Sequence, residues 1–186
     1  MDGISVLITG GLGFIGSNLA HRLVNLGADV KIYDGLLTGY GANWANIEDI
    51  RYEVDFVIGD VRDYEKLENH VNEVDVVFHC AAKVSRVVSM SNPKLDIEIN
   101  CAGAINVLEA LKRSTNKEVK VVYTRSRAST DFARELPVDE NTPADPTDIY
   151  EANKLTTEMY FEIYHRAYGL KSVILSSIIV TVQELK

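Results

Sequence analysis

Short apolar runs and longer amphipathic stretches alternate along the 186-residue chain. Residues 4–9 are a β-branched run that stops at Gly10-Gly11, which reads as a buried strand. Residues 14–26 follow with Ile15, Leu19, Leu23 and Leu26 at helical spacing, and Gly27 stands at the C-terminal cap. A second strand spans 28–33 and ends at Asp34. The glycine-rich segment 35–53 shows no clear period. A third strand, 56–59, ends at Asp60. A short helix at 64–71 and a fourth strand at 74–80 follow. A long helix is predicted over 94–114, with Cys101, Ala104, Ile105, Leu108 and Leu111 on one face. A fifth strand spans 119–124. Residues 125–148 look irregular and hold three of the four prolines; a helix at 149–168 and a strand at 171–180 close the chain. Alternating strands and helices, with strands that are near-continuous apolar runs, predict an α/β fold: a doubly wound parallel sheet covered on both faces, in three layers.

The first turn adds chemistry. Thr9-Gly10-Gly11-Leu12-Gly13-Phe14-Ile15-Gly16 contains Gly-x-Gly-x-x-Gly directly after the first strand and at the start of the first helix. In that context the glycines let backbone N–H groups approach a pyrophosphate, and the helix dipole favours its charge. This makes the sheet Rossmann-like. Asp34 closes the second strand twenty-three residues after Gly11, where an acidic side chain would hold the ribose hydroxyls and repel the 2′-phosphate of NADP. NAD is therefore the expected cofactor. Asp60 closes the third strand, where a carboxylate would accept an adenine amino group.

Tyr150 and Lys154 stand four apart in Ile149-Tyr150-Glu151-Ala152-Asn153-Lys154 and share one face of a helix. A phenol titrates near ~10, too high for a base at neutral pH. A neighbouring ammonium favours the phenolate, so Tyr150 is a candidate general acid/base and Lys154 its partner, with a second role in holding a cofactor ribose.

Composition narrows the classes. The chain is 46% hydrophobic and 25% charged, as in ordinary globular domains, and its net charge of −8 argues against general affinity for nucleic acid or anionic membrane. No signal-peptide pattern precedes the first strand, and the late apolar stretch 173–182 is shorter than the ~20 residues a membrane span needs. Cys80 and Cys101 form no CxxC motif and read as buried free thiols of a reducing cytoplasm. His21, His70, His79 and His165 show no metal-ligand spacing, so no metal is expected. Trp44 either covers the adenosine end or packs on the surface. Two stripes on the last helix, Thr157-Phe161-Tyr164-Tyr168 and Leu155-Met159-Ile163-Ala167, call for two packing partners, one of them a second subunit.

Together these residues resemble the extended short-chain dehydrogenase/reductase family, in particular the NAD-dependent sugar-nucleotide epimerases and dehydratases similar to UDP-galactose 4-epimerase. Further matches are Gly59-Asp60-Val61-Arg62-Asp63, Phe78-His79-Cys80-Ala81-Ala82, Asn100 with Gly103 to Ala110, and Leu136-Pro137-Val138-Asp139-Glu140. The resemblance implies that Gly10, Gly13, Phe14 and Ile15 cradle the pyrophosphate and that Asp34 holds the adenosine ribose. Asp60 and Val61 would flank the adenine. Cys80, Ala81 and Ala82 would line the nicotinamide half, with Asn100 supporting the site. Ser126 would orient the reacting hydroxyl beside Tyr150 and Lys154. It further implies transient oxidation of a UDP-sugar at C4 and a homodimer through the 94–114 and 149–168 helices.

Three positions depart from the family pattern. Arg125 and Arg127 flank Ser126, where they are expected to displace its hydroxyl or bind an anion. Ser176-Ser177-Ile178 replaces the usual strand end. Family members also continue into a substrate domain. The expectation is one NAD-binding domain over 1–186, with the substrate domain absent and turnover weak or lost. The alternatives are a catalytically silent NAD-binding module, or a dehydratase or decarboxylase on the same scaffold.

Overall fold

The computed structural model describes residues 3–37, 39, 41–126 and 143–177, with the side chains of Ser126, Ser176 and Ser177 outside that description. Six strands, β1 (Ser5–Thr9), β2 (Asp29–Asp34), β3 (Val54–Ile58), β4 (Val76–His79), β5 (Lys120–Ser126) and β6 (Lys171–Ser177), form one sheet in the order β3-β2-β1-β4-β5-β6. Every pairing is parallel. The chain winds outward from β1 to β3, then returns to β4 on the other side of β1. That reversal opens a crevice beyond the carboxyl ends of β1 and β4, the usual ligand position in such sheets. The fold is the Rossmann-like sheet the alternation predicts.

The helices are α1 (Phe14–Asn25), α2 (Tyr64–Val71), α3 (Arg86–Ser91), α4 (Pro93–Asp96), α5 (Gly103–Arg113) and α6 (Ile149–Tyr168). A 3-10 helix spans Trp44–Ile50, and a π-helical turn, Ile97–Ala102, joins α4 to α5. The helix predicted over 94–114 is thus continuous but contains a wider turn. The strand predicted over 119–124 runs two residues further, to Ser126, into the segment read as irregular. The predicted strand end at 178–180 lies outside the described residues. Gly169 ends α6 in the left-handed conformation, φ +69°.

The two-residue period of the strands sorts the core into two layers. Val6, Ile8, Val30 and Ile32 face Ala20 and Leu23 of α1 and Ile47 and Ile50 of the 3-10 helix. Leu7, Tyr33, Val77, Val121 and Tyr123 face Leu67 and Val71 of α2, Val107 and Leu111 of α5, and Phe161 of α6. Truncating any of the fully buried Leu or Ile residues to Ala should cost about 2–5 kcal/mol. Coverage is uneven. Ile174 of β6 packs on the α6 side. Val173 and Leu175 point the other way and are 54% and 52% exposed.

Candidate functional site

The first strand leads directly into the cavity floor. The Gly10 N–H donates to the Tyr33 carbonyl at 2.9 Å, and Gly10 adopts φ +72°. A Cβ on Gly10 would stand 2.7 Å from the Ala81 backbone, and one on Gly16 would stand 2.3 Å from the Gly10 carbonyl oxygen. These two glycines let β1, the turn and the loop after β4 close on one another. Gly13 differs: it caps α1 with no side-chain hydrogen bond, and a Cβ there would meet only the Gly10 oxygen, at 3.3 Å. The first-turn N–H groups of α1 have no intrahelical acceptors and no capping side chain.

Above this turn lies a cavity of about 510 Å³. Its walls include Gly10, Gly13, Phe14, Ile15, Asp34, Asp60, Val61, Cys80, Ala81 and Ala82, ten of the residues singled out from sequence. Asp34 is 7% exposed. Its Oδ2 accepts the Leu12 N–H at 3.0 Å and its Oδ1 the Leu36 N–H at 2.9 Å, which locks the glycine turn to the end of β2. Each carboxylate oxygen retains a further lone pair. Asp60 is more committed: Arg62 Nε reaches Oδ1 at 2.9 Å, and Nη2 reaches Oδ2 at 2.5 Å. Those hydrogen bonds hold the Asp60 carboxyl below the usual range and compete with any adenine amino group. Trp44 lies outside the cavity walls. It packs on Phe56 at 4.3 Å between ring centroids, under the Arg51 guanidinium.

The opposite wall is the loop after β4, fixed by side chains from remote parts of the chain. The Thr9 hydroxyl lies 2.8 Å from Nδ1 of buried His79 and accepts the Ala81 N–H at 3.3 Å. Burial, with the Lys154 charge nearby, pushes the His79 imidazole down to about 3, and burial pushes the Cys80 thiol up to about 11. Both are therefore neutral packing groups at pH 7. Asn100 does not line the cavity; it clips the loop. Its Oδ1 accepts the Lys83 N–H at 2.9 Å, and its Nδ2 donates to the Lys83 carbonyl at 3.1 Å and to Asp96 Oδ1 at 2.9 Å. Lys83 Nζ lies 3.6 Å from Asp96 Oδ2, both side chains being 0% exposed. Asn153 of α6 donates to the same Asp96 at 2.7 Å. The Thr157 hydroxyl bonds the carbonyl of Asn100, inside the π-helical turn, at 3.0 Å.

Tyr150 and Lys154 both lie buried on α6, one turn apart. The helix is capped by Asp148, whose carboxylate accepts the Glu151 N–H at 2.8 Å. Lys154 Nζ donates to the Thr124 carbonyl at 2.9 Å and lies 4.6 Å from the Tyr123 ring centroid. Burial pushes the Lys154 ammonium down to about 8. Ser126 ends β5 opposite Ser177, and its side chain lies outside the described residues. Arg127 also lies outside them. Arg125, expected to crowd the Ser126 hydroxyl or bind an anion, instead pairs with Glu158 of α6. Strand alternation places it on the same face as Tyr123, toward α6.

Sequence reading missed Lys83, Asp96, Asn153 and Thr157. A signal was present: Asp96 with Asn100, and Asn153 with Thr157, are polar pairs four apart on helices.

A glycine-floored crevice at the carboxyl ends of a doubly wound sheet, backed by a buried Tyr-x-x-x-Lys pair, defines the class of dinucleotide-dependent proteins. The chain belongs to the NAD dependent epimerase/dehydratase family, whose sequence profile matches residues 6–178. It is 37% identical over 173 residues to a putative UDP-glucose 4-epimerase of Methanocaldococcus jannaschii, covering 91% of this chain and 54% of that protein. Its fold matches the UDP-glucose 4-epimerase of Thermus thermophilus, solved in complex with NAD, with a TM-score of 0.81 and 34% identity, covering 93% of this chain and 54% of the other. It matches the UDP-N-acetylglucosamine 4-epimerase of Methanobrevibacter ruminantium, solved with UDP-N-acetylmuramic acid, with a TM-score of 0.86 and 30% identity, covering 95% and 55%. The chain spans about half the length of these relatives.

Proposed function

We propose that residues 1–186 form the NAD-binding domain of a nucleotide-sugar epimerase of the UDP-glucose 4-epimerase kind, with the nucleotide-sugar site completed by chain beyond this domain. One observation carries the reading: the 510 Å³ glycine-floored cavity faces the Cys80–Ala82 loop, and Tyr150 and Lys154 lie buried one helical turn apart on α6. The residues suit a dinucleotide. Gly10, Gly13, Phe14 and Ile15 bring an uncapped helix N-terminus to a pyrophosphate. Asp34 takes ribose hydroxyls, and its charge disfavours a 2′-phosphate, so NAD is preferred over NADP. Asp60 and Val61 flank the adenine, and Cys80, Ala81 and Ala82 line the nicotinamide side.

NAD bound there supplies a hydride acceptor for the sugar carbon. Tyr150 removes the proton of the hydroxyl on that carbon and returns it on reduction. Lys154 favours the phenolate and holds ribose, and Ser126 orients the hydroxyl. Calorimetry should show NAD binding more tightly than NADP; absence of NAD binding overturns the reading. In a chain extended by the substrate half, assayed for UDP-galactose to UDP-glucose conversion, Tyr150→Phe should lower turnover at least about 100-fold, the usual scale of general acid–base catalysis. The second reading is a catalytically silent NAD-binding module. NAD binding without turnover at saturation, in a chain that carries the substrate half, would establish it.

We also propose a homodimer through α5 and α6. Ile97, Met159 and Ile163 are 47%, 53% and 46% exposed along these helices and the turn that precedes α5. Met159→Glu should shift the sedimenting species to monomer. Among the described residues no helix is long and apolar enough to cross a membrane. The two free thiols, Cys80 and Cys101, favour a reducing cytoplasmic setting.

A further inference from the structure

The N-terminal turn of α6, which carries Tyr150, is tied to α3 by an ionic clamp that the assigned roles do not use. Arg86 Nη2 donates to Glu151 Oε1, and Arg86 Nε lies 3.3 Å from Asp148 Oδ2. The Glu151 side chain is 0% exposed and that of Arg86 47%. The other Glu151 oxygen accepts the Thr147 N–H at 2.8 Å and the Thr147 hydroxyl at 3.1 Å. Glu151, the residue next to Tyr150, thus couples the arginine at the start of α3 to the segment entering α6. α3 begins immediately after the loop whose residues Cys80 to Ala82 and Val84 form the cavity wall. Among the described residues none of Arg86, Asp148 and Glu151 lines that cavity.

A buried carboxylate is costly without its cation, and a guanidinium fork fixes orientation as well as distance. The clamp therefore sets the spacing between the cavity loop and α6. We infer that Arg86 and Glu151 are positioning residues that make the nicotinamide end of the cavity, and not its adenosine end, depend on the seating of α6. The inference rests on the NAD-binding reading. The adenosine end is built separately, from the glycine turn and Asp34, and touches neither member of the clamp.

The test compares NAD with ADP, which fills only the adenosine end, by calorimetry on the full 186-residue chain. Arg86→Gln should weaken NAD about tenfold, the size of one charge-assisted hydrogen bond, and leave ADP within about twofold. Arg86→Lys should fall between it and the parent. Should Arg86→Gln fail to fold, the double variant Arg86→Met/Glu151→Met removes both charges of the Arg86–Glu151 pair and should show the same split. In the parent chain NAD, but not ADP, should slow hydrogen exchange in the first turn of α6. Equal weakening of NAD and ADP, or unchanged NAD binding in folded clamp variants, overturns the inference while leaving the NAD-binding reading standing. A parent chain that binds neither ligand overturns both.

Discussion

The two ends of the cavity are held by different means. At the glycine-turn end the groups are largely main chain: Gly10, Gly13 and the Leu12 and Leu36 N–H groups on Asp34. At the β4–β5 end every element is fixed by a side chain from far along the chain. Thr9 meets His79, Asn153 meets Asp96, and Lys154 meets Thr124. The sheet shows the same contrast. β1 and β2 are packed on both faces, whereas β6 leaves Val173 and Leu175 exposed on one. A site made of backbone in a tight turn is specified locally. A site made of a buried polar network exists only when distant helices dock, and each member is costly to leave unmatched.

Removing one charge from the buried pair should produce the largest effect. Asp96→Asn keeps the acceptor oxygen for Asn100 and Asn153 but removes the carboxylate charge 3.6 Å from the buried Lys83 ammonium. A loss of about 3–5 kcal/mol is expected in urea unfolding, with Lys83→Met/Asp96→Asn recovering at least half of it. A small single-variant loss would mean that the network is not under electrostatic constraint.

Lys154 makes a contrary prediction. Its ammonium titrates at about 8 in the folded chain, below the ordinary value of about 10.4. Below pH 8 both folded and unfolded chains carry the proton, so the penalty for burying it is present in full. Between pH 8 and about 10.4 the folded chain sheds the proton first, and stability rises with pH. Lys154→Met should therefore be more stable than the parent at pH 7, by up to about 3 kcal/mol, with the gap closing as pH climbs through that window. A gap independent of pH would show that the lysine is not buried as a cation.

At the glycine-turn end, Asp34→Ala should weaken NAD by about 1.5–3 kcal/mol, the scale of hydrogen bonds to a charged group, and bring NADP closer to NAD. Equal losses for the two cofactors in calorimetry would place the ribose elsewhere. The smallest change belongs to the open face of β6: Leu175→Lys should alter the thermal midpoint by less than about 0.5 kcal/mol equivalent. A larger loss would show that something covers this face in solution.

Much of this was legible in the chain. The β-branched runs, the glycines after β1 and the acidic residue closing β2 act through local geometry, so their spacing carries their meaning. The Tyr150–Lys154 pair was legible because a helix fixes residues four apart on one face. The 3-10 helix at Trp44–Ile50 and α3 at Arg86–Ser91 were not, because seven and six residues are too few to establish a period. The pairing of Arg125 with Glu158, thirty-three residues along the chain, was not legible, because it depends on where α6 docks against β5. Asn100 was expected to support the site; its hold on the Lys83 backbone emerged only when the π-helical turn was laid against the loop.

The sequence by itself determined the alternation of strands and helices, the glycine turn, the acidic end of β2 and the Tyr-x-x-x-Lys pair on one helix face, because residue type and spacing mark each of them. Only the tertiary structure decided that Lys83 and Asp96 meet in the interior between α4 and the β4 loop, that Arg86 clasps Glu151, and that, among the described residues, Val173 and Leu175 of β6 stay half exposed. Those outcomes depend on which helix docks where. Docking is set by the sum of many apolar contacts, which no single residue announces.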